Sequence, residues 1–169
     1  MLNDLNQKEL TLFIQALSDA DRAFFGKTDK SEQPAIIHSL RLARLFWNQD
    51  NYLLATIAAL HDILEDTDYS RKDLVTYYPE NIANAVIALT RNEGEIYRDY
   101  LSRCCENPLA CIVKYYDIQD NLDPVRCAGW VPPYSRYNKS LKFILEEYPQ
   151  YYDFYNIYTG YTGEKSEEV

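Results

Sequence analysis

The sequence predicts an all-α protein, a single helical bundle of about seven or eight helices, and three observations point to it. Apolar residues recur at helical spacing in nearly every segment. The seven prolines fall where helices would start or stop: Pro34, Pro79, Pro108, Pro124, Pro132, Pro133 and Pro149. No segment shows the alternation of apolar and polar residues, bounded by turns, that marks a half-buried strand.

The elements follow in order. Leu10, Phe13, Ile14 and Leu17 form one stripe at i, i+3, i+4 and i+7. Ile36, Ile37, Leu40, Ala43 and Leu45 suggest a second helix, opened by Pro34 near its first turn. Leu53 to Leu64 is apolar around much of its circumference, which predicts the central helix. "SRKDLVTYY" reads as a short helix capped by Ser70, with Asp73 three residues on. "PENIANAVIALT" opens on Pro79 and an acidic first turn. "EGEIYRDYLSRC", "NPLACIVKYYDIQDNL" and "YNKSLKFILEEY" continue in the same style.

A length of 169 residues is that of one domain with room for a proper core. Its core spans about 30–125, with a tyrosine-rich helical segment over about 134–161 and a frayed tail at 162–169. "YPQYYDFYNIYTGY" holds many of the sixteen tyrosines. It reads either as a helix packed on the domain, or on a second copy in a homodimer, or as a lid whose rings stack on a base.

The composition, 47% hydrophobic and 25% charged, is globular. A net charge of −9 without a compact Lys/Arg run argues against a nucleic-acid polymer as partner. It leaves room for a small phosphorylated ligand, because a bound cation offsets local negative charge. Cys104, Cys105, Cys111 and Cys127 lack C-x-x-C spacing and are expected to be free thiols in a reducing cytoplasm. The opening "MLNDLNQKEL" is polar and shows no leader, and no apolar run suits a membrane span.

The chemistry concentrates in "LHDILEDTD", residues 60–68. On a helix His61 and Glu65 share a face, as do Asp62 and Asp66. Such a cluster is tolerable where a cation replaces lost hydration and costly otherwise. The chain holds two histidines, and the other is His38 on the preceding helix. Antiparallel packing would let it face His61, and "VKYYDIQDNL" offers Asp117 with Asn121 one turn on. Imidazoles with carboxylates suit Mn²⁺, Fe²⁺, Co²⁺, Ni²⁺ or Zn²⁺. A site with open positions can activate water. A lone buried histidine is usually a satisfied core residue, but here both histidines fall in one pattern.

That pattern, His38, His61-Asp62 and Asp117, resembles the H…HD…D signature of the HD-domain metal-dependent phosphohydrolase superfamily. "HDILEDT" is similar to the H-D-x-x-E-D-T element of the hydrolase domain of RelA/SpoT-type alarmone enzymes and small alarmone hydrolases. "KYYDIQDN" is similar to their K-x-x-D-x-x-x-N element, with Lys114, Asp117 and Asn121 in register. The likeness runs from about Pro34 to Pro124.

It implies an α-helical HD fold with one metal, first of all Mn²⁺, held by His38, His61, Asp62 and Asp117. It also implies Glu65 and Asp66 as the residues that orient and deprotonate the attacking water, and a 3′-pyrophosphorylated guanosine nucleotide as the first substrate candidate. Lys114, Asn121, Arg41 and Arg91 are the candidate substrate contacts, and Tyr97, Tyr115 and Tyr116 are rings that could stack on a base. Upstream of His38, "DADRAFFGKTDKSEQPAIIHS" departs from the family's basic pair. Its Arg22, Lys27 and Lys30 are differently spaced, and Ser39 stands where the family has Pro, which leaves other nucleotides as competitors. Two alternatives remain: a non-catalytic metal- and nucleotide-binding regulatory module, and a di-iron oxygenase, for which the chain has too few histidines.

Overall fold

A computed structural model of the chain describes residues 4–127, 130–151 and 153–154. Its helices are α1 (Asp4–Phe24), α2 (Ile36–Trp47), α3 (Tyr52–Leu60), α4 (Ile63–Asp66), α5 (Arg71–Tyr77), α6 (Glu80–Leu89), α7 (Tyr97–Glu106), α8 (Pro108–Asp120) and α9 (Tyr134–Glu147), followed by a 3₁₀ turn at Pro149–Tyr151. Among the described residues the only β pairing is an isolated bridge between Thr28 and Pro34. The architecture is all-α.

Helix α3 is the centre, as its apolar run implies. All but one of its nine residues are buried, and α1, α2, α6 and α8 pack around it. The predicted helix over 53–64 is nevertheless broken. It stops at Leu60 and restarts as the single turn α4, with Asp62 between them at φ −100° and ψ 2°. Side-chain caps set other helix starts. The Asn51 side chain accepts from the Leu54 N–H at 3.0 Å, and Ser70 accepts from the Asp73 N–H at 3.1 Å. Asn107 accepts from the Leu109 and Ala110 N–H groups ahead of α8, where Pro108 takes the first position.

Two stripes are turned relative to their sequence reading. On α1 the buried residues include Phe13, Ala16, Ala20 and Phe24, while Ile14 is exposed; on α2 Ile37 is exposed, and His38, Leu42 and Phe46 face inward. Small alanines let α1 approach α3 closely, and that outweighs the larger aliphatics in setting the helix rotation. After α1, Gly26 at φ +74° turns the chain in a conformation costly to residues with a Cβ. The loop that follows, 27–34, leads into α2.

Phe46 links the two helices that matter most for function. It is fully buried on α2 and meets Tyr116 of α8 edge to face, with ring centroids 5.5 Å apart. Phe46→Ala should therefore destabilise the fold by about 3–5 kcal/mol, lowering the thermal midpoint by on the order of 10 °C. Calorimetry on the purified variant measures this.

The four cysteines are buried free thiols, as expected. No helix among the described residues is long and apolar enough to cross a membrane. Helix α9 buries Ser140 and Ile144 against the bundle, and the Tyr148 hydroxyl donates to the Ser102 carbonyl at 3.2 Å. The tyrosine-rich stretch beyond residue 154 lies outside the described residues, so its reading as lid or dimer contact does too.

Candidate metal centre

The break between α3 and α4 shapes the site. Consecutive residues of a continuous helix point about 100° apart, which would separate His61 from Asp62. With Asp62 off helical geometry, its Oδ2 comes within 2.9 Å of His61 Nε2. From α2, His38 Nε2 lies 2.9 Å from Asp117 Oδ1 on α8, and His61 Nε2 lies 3.8 Å from that same oxygen. His38, His61 and Asp117 are all buried, and their donor atoms fall within 4.8 Å of one another. The two imidazole rings meet edge to face at 4.9 Å.

Hydrogen bonds fix how each imidazole is presented. The Nδ1 of His61 lies 2.8 Å from the Ala58 carbonyl, which can only accept, so that nitrogen carries a proton and Nε2 is left to the site. For His38, Nδ1 lies 2.8 Å from Asp120 Oδ2, which again leaves Nε2 turned to Asp117. The Nε2 of His61 is buried and makes no hydrogen bond, its near neighbour being the Asp62 Oδ2 at 2.9 Å. A buried polar atom left unpaired is costly. Nitrogen lone pairs and carboxylate oxygens converging on one point are what a divalent cation takes, and these residues fit one.

The electrostatics agree. Burial alone would lower the His38 pKa, but hydrogen bonds to Asp117 and Asp120 outweigh it and raise the group to about 9. Burial likewise opposes the charge on His61, and the neighbouring Asp62 carboxylate overrides it. Asp117 is held well below the carboxylate range: desolvation pushes it up, and the Lys114 ammonium and the histidines pull it down further. The centre therefore draws positive charge.

Asp117 is also braced. Lys114 Nζ donates to its Oδ2 at 2.7 Å, and Asn121 Nδ2 donates to its Oδ1 at 2.6 Å. Both residues line the adjoining cavity, so the expected substrate contacts Lys114 and Asn121 also hold Asp117 in place.

That cavity, of about 640 Å³, opens beside the cluster, with Asp62, Glu65 and Asp66 on its wall. Desolvation raises the pKa values of both Glu65 and Asp66; the Asp62 charge adds to it at Asp66, while at Glu65 the Arg91 backbone N–H opposes it ahead of the Asp62 contribution. Glu65 Oε1 also accepts the Arg91 backbone N–H at 2.5 Å. Lys27, Lys30 and Arg126 bring positive charge to the wall, and Trp130 and Tyr137 bring rings. Lys30 Nζ lies 5.1 Å from the Trp130 ring centre.

Several sequence expectations are relocated. Arg41 is not on the cavity wall; it donates to Asp120 at 2.9 Å and also pairs with Asp123. Arg91 is likewise absent from the wall, its guanidinium donating to the Glu95 carbonyl. Tyr115 and Tyr116 are buried core residues, and Tyr97 belongs to a separate cleft between α7 and α9. Arg22 pairs with Asp19, whereas Lys27 and Lys30 do reach the cavity. The sequence reading missed Asp120, Arg126, Trp130 and Tyr137. Asp120 had a signal, since it shares the α8 face of Asp117 and Asn121 at i+3 and i+4. The Lys30–Trp130 pair joins distant segments and leaves no local pattern.

No protein-family model matches the chain. Among curated proteins, it is 28% identical over 161 residues to guanosine-3′,5′-bis(diphosphate) 3′-pyrophosphohydrolase of Aquifex aeolicus, covering 84% of this chain and 22% of that protein. It is 29% identical over 104 residues to the protein of the same name from Vibrio cholerae, covering 61% and 15%. A probable GTP pyrophosphokinase of Mycobacterium leprae is 24% identical over 141 residues, covering 78% and 18%. The chain thus spans about a fifth of the length of these relatives. A solved structure of a metazoan ortholog of SpoT, described as hydrolyzing ppGpp and playing a role in starvation responses, aligns with a TM-score of 0.61 at 20% identity, covering 79% of this chain and 85% of that one. The chain shares its fold with that protein, and its sequence resembles alarmone-hydrolase proteins.

Proposed function

We propose that this chain, an all-α domain similar in sequence to RelA/SpoT-type alarmone hydrolases, is a metal-dependent phosphohydrolase acting on a nucleotide. A 3′-pyrophosphate of guanosine is its first substrate candidate. The observation that carries the reading is the convergence of His38, His61 and Asp117 beside a cavity walled by Glu65, Asp66 and four cationic side chains, Lys27, Lys30, Lys114 and Arg126. The centre would hold one divalent metal on His38, His61, Asp117 and Asp62, with Mn²⁺ the first choice and Fe²⁺, Co²⁺, Ni²⁺ and Zn²⁺ the competitors. Bound there, the ion would supply Lewis acidity and water of lowered pKa.

The chain's own groups do the rest. Lys27 and Lys30 bind phosphate oxygens, and Trp130 and Tyr137 offer faces to a base. Glu65 and Asp66, raised toward neutrality, accept the proton of the attacking water. Its oxygen then forms the new bond to phosphorus as the bond to the nucleotide oxygen breaks. Lys114 and Asn121 hold Asp117 still throughout.

The test is a Mn²⁺-supplemented screen for phosphate and pyrophosphate release across nucleotides, with Asp62→Ala as control. Pyrophosphate release from guanosine-3′,5′-bis(diphosphate), absent in the control, is the expected outcome. Orthophosphate from a nucleoside monophosphate, with the bis(diphosphate) intact, would replace the substrate and keep the chemistry. No release from any nucleotide would overturn the enzyme reading.

A further inference from the structure

The carboxylate of Asp120 has no role in the reading above, yet it is the best-connected group beside the centre. Its side chain is 9% exposed. Oδ2 receives the His38 Nδ1 contact at 2.8 Å. Oδ1 accepts from Arg41 Nε at 2.9 Å, and Arg126 Nε sits 3.2 Å from Oδ2. Arg41 is anchored in turn on Asp123. Arg126 also donates to Asn121 Oδ1, which ties it to a residue bracing Asp117.

We propose that Asp120 is a positioning residue for the metal centre, aiming His38 through its Nδ1–H while Arg41 and Arg126 hold the carboxylate in place. The proposal rests on the metal reading and deepens it. An imidazole ligand must keep its proton on the far nitrogen and its ring plane aligned with the ion, and an anionic acceptor at Nδ1 does both while making Nε2 more basic. The two histidines differ in this respect. His61 leans on a backbone carbonyl that no substitution of its own side chain alters, whereas His38 leans on a side chain one helix away. The rigidity of that side chain comes from two guanidinium groups. This also accounts for Arg41: a buried carboxylate against an imidazole needs compensating positive charge, and Arg41 supplies it away from the cavity.

The test compares Asp120→Ala, Asp120→Asn and Asp123→Asn with wild type. Metal affinity is read by competition with a chelator, and folding by circular dichroism and thermal melting. Asp120→Ala should weaken metal binding by about 10–100-fold. Asp120→Asn keeps an oxygen able to accept the Nδ1–H while losing the charge, so its affinity should fall between those of Asp120→Ala and wild type. It also preserves side-chain volume, which covers the case in which Asp120→Ala fails to fold. Asp123→Asn, which loosens the outer anchor of Arg41 but leaves the Asp120 contact to His38 in place, should weaken metal binding by less than Asp120→Asn does, even if the melting temperature drops as far. Wild-type metal affinity in a folded Asp120→Asn or Asp120→Ala chain would overturn the proposal. So would equal losses in Asp120→Asn and Asp123→Asn, since both would then act through general destabilisation. Failure of wild-type protein itself to bind Mn²⁺ or Zn²⁺ would instead sink the underlying metal reading, and that outcome is distinct from either.

Discussion

With Glu65→Gln and Asp66→Asn combined, hydrolysis should fall by about 10²–10⁴-fold, the usual range for general acid–base catalysis, while metal content and melting temperature stay near wild type. The separation follows from where the groups sit. His38, His61 and Asp117 form a buried cluster, whereas Glu65 and Asp66 are exposed residues on the cavity wall. Substituting the pair leaves the cluster intact. Gln at 65 still offers an oxygen to the Arg91 N–H that Glu65 now binds, so the α4–α6 junction should persist. Although both residues are open to the cavity, partial desolvation of their carboxyls raises the pKa values and makes them stronger proton acceptors than fully hydrated carboxylates. Steady-state kinetics on the screened substrate give the readout, with the loss expected in kcat more than in KM. A double variant as active as wild type would assign the base elsewhere. A double variant that also loses the metal would show that these carboxylates belong to the ligand set.

The site was legible in the sequence to the extent that its residues were rare or regularly spaced. Two histidines in the whole chain made His38 and His61 easy to pair, and the helical register of "KYYDIQDN" put Asp117 and Asn121 on one face. The all-α class was legible for the same reason, since 3.6-residue spacing recurs in every segment. The break at Asp62 was not legible, because "LHDILEDT" has a helical pattern straight through it. What opens the helix there is the tertiary setting of His61 and Asp62, and no local propensity reports it. The arginines misled for a related reason. A basic residue one turn from a ligand suits a phosphate contact, and it suits equally an ion pair to a carboxylate on the neighbouring helix. Arg41 takes the second because Asp120 and Asp123 of the α8 end lie opposite it. Trp130 and Lys30 meet only once the loop after α1 and the segment after α8 are brought together, which is a property of the fold and not of either stretch.

Replacing His61 with alanine should abolish stoichiometric metal binding and with it the metal's effect on stability. Elemental analysis of wild-type protein should find close to one transition-metal ion per chain, and His61→Ala should find none. The same loss appears in melting curves. A ligand that binds only the folded state at 100 times its Kd stabilises it by about 2.7 kcal/mol, which for a chain of this size raises the midpoint by roughly 5–10 °C. Added Mn²⁺ should therefore shift wild type upward and leave His61→Ala unmoved, and chelator should reverse the shift. The Nδ1 of His61 bonds only the Ala58 carbonyl within its own helical turn, but the substitution also removes a buried ring and its ion pair to Asp62. The ion's share is therefore read as the difference between melting curves with and without Mn²⁺ in each protein. A proton readout accompanies it. His38 is raised to about 9, so at pH 7.5 it holds a proton that an entering metal must displace. Calorimetric titrations in two buffers of different ionisation enthalpy should report on the order of one proton released per metal bound. The affinity should weaken as pH falls, because acid favours the protonated imidazoles over the metal. Full metal occupancy in His61→Ala, or binding heats independent of the buffer, would remove these histidines from the ligand set.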